Sequence, residues 1–335
     1  MGIMIGNIET RNNVFLAPMS GVTDEPFRAI AHQAGAGLVV SEMVASEELV
    51  RERPDMMRRA RGKKQLTPFV MQLAGREAKW MSEGARVAQD LGADIIDINM
   101  GCPARQVTGG LSGSALMRNL DHALTLIEAT VSAAQVPVTL KMRLGWDDKS
   151  LNAPELAKRA EAAGVALITV HGRTRCQFYT GKADWNAIRA VRETIKIPLI
   201  ANGDGQSPED AVAMMKASGA DGIMIGRGSY GRPWWIGAVA KSLKNGSPIT
   251  HPSFQTESDY LISQQQETLG LYGEVLGNKT FRKHLGWALA RLTQRGLLAP
   301  EQLEVLRSSL LRETDNNKIR SAIIQIYDKQ MDKAA

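Results

Sequence analysis

Short apolar runs recur over the first 245 or so residues, and each is followed by a stretch in which apolar residues return every three or four positions. The runs read as strands at Val14–Met19, Leu38–Val44, Phe69–Leu73, Ile95–Met100, Val138–Leu144, Leu167–His171, Leu199–Asn202 and Gly222–Ile225. Between them, sets such as Phe27, Ile30 and Ala31, or Leu124, Ile127 and Val131, form one face of a helix. Ala34-Gly35, Leu91-Gly92, Ala163-Gly164 and Ser218-Gly219 read as helix ends, where glycine takes the left-handed cap. Eight strand–helix units with nearly continuous apolar strands predict an α/β protein, a (β/α)8 barrel of the TIM type. A doubly wound open sheet is the alternative, and the chain lacks a Gly-x-Gly-x-x-Gly after its first strand to support it.

The alternation stops near residue 245. Lys244-Asn-Gly-Ser-Pro248 and His251-Pro252 read as a linker, and the rest reads as helix, at about 257–274, 278–295, 300–313 and 316–332. The expected organisation is a barrel over residues 1–245 and a helical bundle over 252–335.

A chain of 335 residues, 44% hydrophobic, is long enough for both parts. Its two cysteines allow at most one bridge, so a reducing cytoplasm is the expected setting. No apolar run reaches the roughly 18 residues of a membrane span, and the N-terminus shows no basic region followed by an apolar segment. Neither a membrane nor a metal is expected as a partner, and a monomer is expected. The net charge of +6 favours an anionic partner.

In a barrel the chemistry gathers at the C-terminal ends of the strands. Read in order, those ends carry Pro18-Met19-Ser20, Ser41-Glu42, Gln72, Asn99 with Cys102, Lys141 with Arg143, His171 with Arg173, Asn202-Gly203-Asp204, and Gly226-Arg227. Asp97-Ile-Asn-Met-Gly-Cys-Pro103 stands out. A strand ends in a tight turn where Gly101 permits the bend and Pro103 fixes the backbone beyond the thiol. Cys102 is thus expected at a strand end, facing a mobile Gly- and Ser-rich loop over 108–114, as a catalytic acid or nucleophile or else as inert packing. The last two strand ends suit a phosphate, with backbone N–H groups of Gly203, Gly226 and Arg227 pointing at it and the Arg227 charge neutralising it. Lys141 inside a barrel needs an anionic partner, such as the N1–C2 edge of a reduced flavin. Gln72 can both donate to and accept from a flavin's pyrimidine edge. For both, an internal ion pair or hydrogen bond is the plain alternative.

Taken together, Ala17-Pro-Met19, Asp97-Ile-Asn-Met-Gly-Cys-Pro103, Lys141-Met-Arg143, His171-Gly-Arg-Thr174, Asn202-Gly-Asp204 and Ile225-Gly-Arg227 resemble the tRNA-dihydrouridine synthases over about residues 3–325. Ser41-Glu-Met43 and Gly231-Arg-Pro-Trp234 are most similar to the B-type bacterial branch. The resemblance implies an FMN-dependent barrel with a C-terminal helical domain that binds tRNA. It implies that Pro18, Met19 and Ser20 cover the flavin, that Gln72 and Lys141 hold its ring, and that His171 lies by the ribityl chain or phosphate. It also implies that Asn202, Gly203, Asp204, Gly226 and Arg227 clamp the phosphate, that Asn99, Arg143 and Tyr179 recognise uracil, and that Cys102 donates a proton. By the same resemblance NADPH is the electron donor and the target is a D-loop uridine, around position 16 or 17.

The chemistry agrees with those residue types. Reducing the C5–C6 bond of uracil takes a hydride and a proton, and a thiol keeps its proton at neutral pH. Donors such as Asn99 and Arg143 suit the charge that develops toward the C4 carbonyl. A uridine in folded tRNA must be turned out of its stack, which asks for a basic surface. Residues 51–64 hold seven basic and two acidic residues, and 279–295 hold Lys279, Arg282, Lys283, Arg291 and Arg295 with no acid. On a helix Lys279, Arg282 and Lys283 share one face. Read alone, each charged run is an ordinary solvated face. Two rival readings are a flavin barrel that reduces a free pyrimidine, and a non-catalytic RNA-binding regulator.

Overall fold

The computed structural model describes residues 2–62 and 66–334. An antiparallel hairpin, β1 (Met4–Ile5) with β2 (Ile8–Glu9), precedes the barrel. The barrel strands are β3 (Val14–Leu16), β4 (Leu38–Val39), β5 (Val44–Ala45), β6 (Val70–Ala74), β7 (Ile95–Met100), β8 (Val138–Arg143), β9 (Leu167–His171), β10 (Leu199–Asn202) and β11 (Gly222–Ile225). They pair in parallel in the order β4-β3-β11-β10-β9-β8-β7-β6-β5, and a parallel bridge from Val40, just past β4, to Val70 of β6 closes the circuit. The result is a (β/α)8 barrel in which the second strand is broken into β4 and β5.

The break has a local cause. Ser41 N–H still donates to the Val70 carbonyl at 3.0 Å, but its side-chain Oγ accepts the Gln72 N–H at 2.9 Å in place of a backbone carbonyl. The first strand also stops earlier than its apolar run suggests, because Pro18 has no N–H to offer the ladder.

The period-two pleat then decides what faces inward. Val14 and Leu16, Ile96 and Ile98, Leu140 and Met142, and Ile168 and Val170 join the core between strands and helices. Their alternates Phe15, Val70, Ile95, Leu167, Ile200 and Met224 form the floor of the barrel interior, plugged from below by Ile3 and Ile5. Two residues beyond Val70, Ile95, Leu167 and Ile200 the same inward column turns polar, at Gln72, Asp97, Thr169 and Asn202. Apolar floor and polar mouth are one pattern read at two heights.

After the helix Trp235–Asn245 the chain continues as helices Phe254–Tyr272, Glu274–Gln294, Pro300–Leu310 and Asn316–Ala334. Ser253 caps the first by accepting the Thr256 N–H at 3.1 Å, and Gly273, at φ +78, separates the first two. Leu261, Phe281, Leu285, Leu289, Leu292, Ile319 and Ile323 build a core of their own. Trp287 turns the other way, stacking on Tyr230 beyond the last strand at 3.9 Å between ring centres. Among the described residues no helix is long and apolar enough to cross a membrane.

Candidate active site

At the C-terminal mouth of the strands lies a cavity of about 410 Å3. Pro18, Met19, Ser20, Gln72, Asn99, Cys102, Lys141, Arg143, His171, Tyr179, Asn202, Gly203, Asp204, Gly226 and Arg227 all line it. Every residue expected at the flavin, the uracil or the proton therefore meets at one place. The expected tRNA-binding residues Lys279, Arg282 and Lys283 lie outside it.

Cys102 is a free thiol, partly exposed to the cavity. Asn99 builds its turn: its Oδ1 accepts the N–H groups of Gly101 (3.2 Å) and Cys102 (3.0 Å). The Cys102 carbonyl accepts from the Ser114 N–H (3.1 Å) and hydroxyl (2.8 Å). The segment beyond is not the open loop its glycines suggest. It forms a helical turn, Arg105–Gly109, and a 3-10 helix, Gly113–Arg118. Gly113, at φ +61, lies so close that a Cβ there would meet the Cys102 carbonyl at 2.8 Å. The thiol is held by its neighbours on both sides.

The inner wall is a connected polar network. Thr139 donates to one Asp97 oxygen at 2.6 Å, and Gln72 Nε2 donates to the other at 2.7 Å. Gln72 Oε1 in turn accepts from Asn99 Nδ2 at 2.7 Å. Both ends of Gln72 are thus engaged by the protein, and each retains one further hydrogen-bonding position for a ligand. Burial raises the Asp97 carboxyl above its usual range, opposed by its bonds from Gln72 and Thr139 and by Lys141.

Lys141 donates to Asn202 Oδ1 at 3.1 Å, its only hydrogen bond among the described residues, so two of its three donors stay free. Loss of hydration, then the Arg143 charge, pushes its pKa down to about 8. Arg143 is 1% exposed and acts largely on the backbone: Nε on the Gly101 carbonyl (2.9 Å), Nη1 on those of Thr174 (2.8 Å) and Phe178 (2.9 Å). It ties the thiol turn to the loop that carries Tyr179, whose ring lies over both Arg143 (5.5 Å) and Arg227 (5.0 Å). His171 is held well below its usual pKa, first by burial and then by Arg143, Lys141, Arg173 and Arg227, so it is neutral at pH 7.

Asp204 lines the mouth beside Gly203 and Arg227. A carboxylate repels phosphate, and this one is occupied by cations: Arg173 at 2.6 and 3.0 Å and Arg227 at 3.0 Å, with the Ala183 N–H at 2.8 Å. Its carboxylate is held between Arg173 and Arg227. Arg173 is the residue the sequence reading named at a strand end without giving it a task. It is 1% exposed and also holds the carbonyls of Thr180 and Gly181. Tyr230, on the cavity wall past the last strand, left no signal in the sequence.

Lys141, Arg143 and Arg227 line the cavity against one lining carboxylate, Asp204, so the mouth is set for an anion. A flavin phosphate and a reduced flavin ring meet that demand, and the cavity lies in the size range of small-ligand sites. Gly203, at φ +122, lies against His171 and Ala183, where a Cβ would meet Ala183 Cβ at 2.7 Å, and Gly226 leaves the neighbouring backbone bare. The residues fit the group.

The three expected tRNA contacts diverge. Lys279 is exposed. Arg282 is half-buried on Asn278 (2.8 Å) and the Glu313 carbonyl (3.1 Å), and Lys283 is half-buried beside Gly21, under the charges of Asp24 and Glu42. Arg291 and Arg295 also face inward, to the Tyr230 carbonyl and to Glu257. The helix periodicity placed three cations together, but tertiary partners separate them. In the other basic run, Arg51 pairs with Glu47 at 2.8 Å, Arg58 lies over the Tyr272 ring at 5.4 Å, and Lys63 and Lys64 lie outside the described residues.

A closed parallel barrel with a thiol, a half-buried lysine and a cationic clamp at the strand ends is the site of a barrel oxidoreductase that uses a flavin. Residues 15–322 match the family model described as "Dihydrouridine synthase (Dus)", and the chain belongs to that family. It is 54% identical over 96% of its length to a "Probable tRNA-dihydrouridine synthase" of Rhizobium leguminosarum bv. phaseoli, covering 97% of that protein. It is 43% identical to the "tRNA-dihydrouridine synthase B" of Pseudomonas putida, over 86% of each chain. Among solved structures, morphinone reductase in complex with tetrahydroNAD superposes with a TM-score of 0.53 at 15% identity, over 77% of this chain and 93% of that one. An old yellow enzyme homologue from Zymomonas mobilis gives 0.52 at 16% identity, over 76% and 95%. At such identities these structures speak for the barrel alone.

Proposed function

We propose that the protein reduces the C5–C6 double bond of a uridine in the D-loop of tRNA, around position 16 or 17, with FMN as its flavin and NADPH as the electron donor. The observation that carries this reading is the meeting of Cys102, Lys141, Asn202 and Arg227, from four different strand ends, in one cavity.

Bound flavin supplies the hydride that adds to C6. The protein supplies everything else. Lys141, with two free donors, holds the ring edge where negative charge gathers in the reduced state. Arg227, steadied by Asp204, and the bare backbone at Gly203 and Gly226 hold the phosphate. His171, uncharged, lies by the ribityl chain without adding a further cation. Cys102 gives its proton to C5, and the hydride and proton together saturate the bond. Asn99 fixes the thiol turn and, with Arg143, faces the C4 carbonyl as charge develops there. Pro18, Met19 and Ser20 close over the ring from the first strand end, and Tyr179 lies above two guanidiniums as a lid on the uracil.

The RNA partner is supported by a basic and aromatic patch next to the thiol loop. Arg118 and Arg175 lie over Trp146 at 4.9 and 4.8 Å, and Arg175 also reaches Thr108 at 3.3 Å. Lys279, on the helix Glu274–Gln294, is a further exposed cation. A second reading, reduction of a free pyrimidine, draws on the internal partners of Arg282, Arg291 and Arg295, which leave the helical part less basic outside than its sequence suggests.

Cys102→Ala tests the assignment. The variant is expected to retain flavin absorbance and tRNA affinity and to lose about 100-fold or more in turnover, the usual share of a general acid. Turnover at the parental rate would remove Cys102 from the reaction.

A further inference from the structure

The segment Gly231–Trp234 and the helices Phe254–Tyr272 and Glu274–Gln294 enclose a second cleft, of about 220 Å3, that shares no residue with the barrel mouth. Three guanidiniums line it, those of Arg232, Arg291 and Arg295, and His251 stands at its edge. Its one lining carboxylate, Glu257, is taken by Arg295 through two contacts of 2.8 Å. Among the described residues the other two arginines have no anionic partner.

Their bonding shows what is missing. Arg232 donates through Nε to the Gly228 carbonyl at 2.8 Å and lies flat on the Trp235 ring at 3.4 Å. Its two terminal nitrogens form no hydrogen bond among the described residues. Arg291 has neutral partners only: the carbonyls of Tyr230 (3.0 Å) and Gly228 (3.4 Å) and the Gln294 amide (2.8 Å). Burial and then the Arg291 charge push Arg232 down to about 9, and burial lowers Arg291 too. Two partly dehydrated like charges side by side are unfavourable unless an anion joins them. A guanidinium fork matches the oxygens of phosphate. The cleft is smaller than the roughly 300 Å3 at which drug-sized sites begin, which suits one or two phosphate groups.

We propose that this cleft binds a phosphate group, held by Arg232 and Arg291, at a site separate from the flavin. The inference stands on the charge and shape of the cleft, not on the reaction assigned to the mouth. It also links the two places. Arg291 and Arg232 grip the carbonyls of Gly228 and Tyr230, which closely follow the clamp residue Arg227, and Tyr230 forms part of the mouth wall. An anion on these arginines would therefore bear on the backbone that carries Arg227. Two sources share the chemistry, a backbone phosphate of the RNA and a free phosphorylated small molecule.

The test titrates inorganic phosphate and pyrophosphate into the flavin-loaded protein, reading tryptophan emission beside Arg232 and counting bound radiolabel by equilibrium dialysis. One saturable site is expected, weakened about tenfold or more by Arg232→Gln and unaffected by Arg227→Gln at the mouth. Gln294→Glu, on an exposed residue that folding tolerates, sets a carboxylate beside Arg291 and is expected to weaken the site as well. If the occupant is RNA, Arg232→Gln also lowers tRNA affinity and reduces its salt slope by about one, and pyrophosphate competes with tRNA. If the occupant is a small phosphate, tRNA affinity is unchanged and both bind together. The proposal is overturned if no saturable phosphate binding occurs and the salt slope stays the same, or if Arg227→Gln rather than Arg232→Gln removes the binding.

Discussion

Asp24 caps the helix Glu25–Gln33 by accepting the Phe27 N–H at 3.2 Å, yet it is only 3% exposed and its second oxygen has no partner. Burial, then the nearby Glu42 carboxylate, raises its pKa from 3.8 to about 7, while the Phe27 bond, Arg28 and Lys283 pull the other way. A raised carboxyl stabilises the fold fully below pH 3.8 and loses that contribution as pH climbs through about 7. The loss is at most roughly 4 kcal/mol. Asn caps a helix as well as Asp. Asp24→Asn is therefore expected to equal the parent near pH 4 and to exceed it in melting temperature near pH 8. Parallel melting curves across that interval would show that Asp24 is charged throughout. The same scale shows what residue types can and cannot reveal in a sequence. Cys102, Lys141 and Arg227 were legible because a thiol, a buried amine and a Gly-Arg pair at strand ends have few structural uses. The side chain of Asp204 was not, because its task depends on Arg173 lying 2.6 Å away, a contact that no spacing announces.

The strands were the most legible elements, since each apolar run marks a floor residue and the pleat fixes what stands two positions above it. The interruption at Ser41–Met43 escaped notice because a serine hydroxyl replaces a backbone partner there without changing the apolar pattern. The segment after Cys102 escaped for a related reason. Its glycines and serines usually signal an open loop, but here Ser114 bonds the Cys102 carbonyl and Gly113 permits close packing. At the far side of the mouth, the turn after β10 depends on Gly203, whose φ of +122 and contact with His171 leave no room for a side chain. Gly203→Ala is expected to fold with the barrel's circular dichroism intact and to be purified with at least tenfold less flavin, measured as the ratio of visible to ultraviolet absorbance. Full flavin content would mean that this turn does not carry the phosphate.

At the scale of the molecule, the helical part and the barrel are joined through aromatic and guanidinium contacts. Tyr230 stacks on Trp287, Phe27 lies 5.5 Å from His284, and Arg291 reaches the Tyr230 carbonyl. Periodicity groups the cations of the helix Glu274–Gln294 on its faces, but the partners of Arg282, Arg291 and Arg295 at Glu313, Tyr230 and Glu257 belong to other elements and leave no trace in the spacing. The junction also places the segment after the last strand in direct contact with the helical part. The reaction proposed for this mouth is the reduction of uridine within tRNA. The most direct measurement incubates the flavin-loaded protein with NADPH and tRNA lacking dihydrouridine, followed by nuclease mapping and mass spectrometry. A gain of two hydrogens on a single D-loop uridine at position 16 or 17 is the predicted result. Unchanged tRNA, together with reduction of free uracil or uridine by the same preparation, would contradict it.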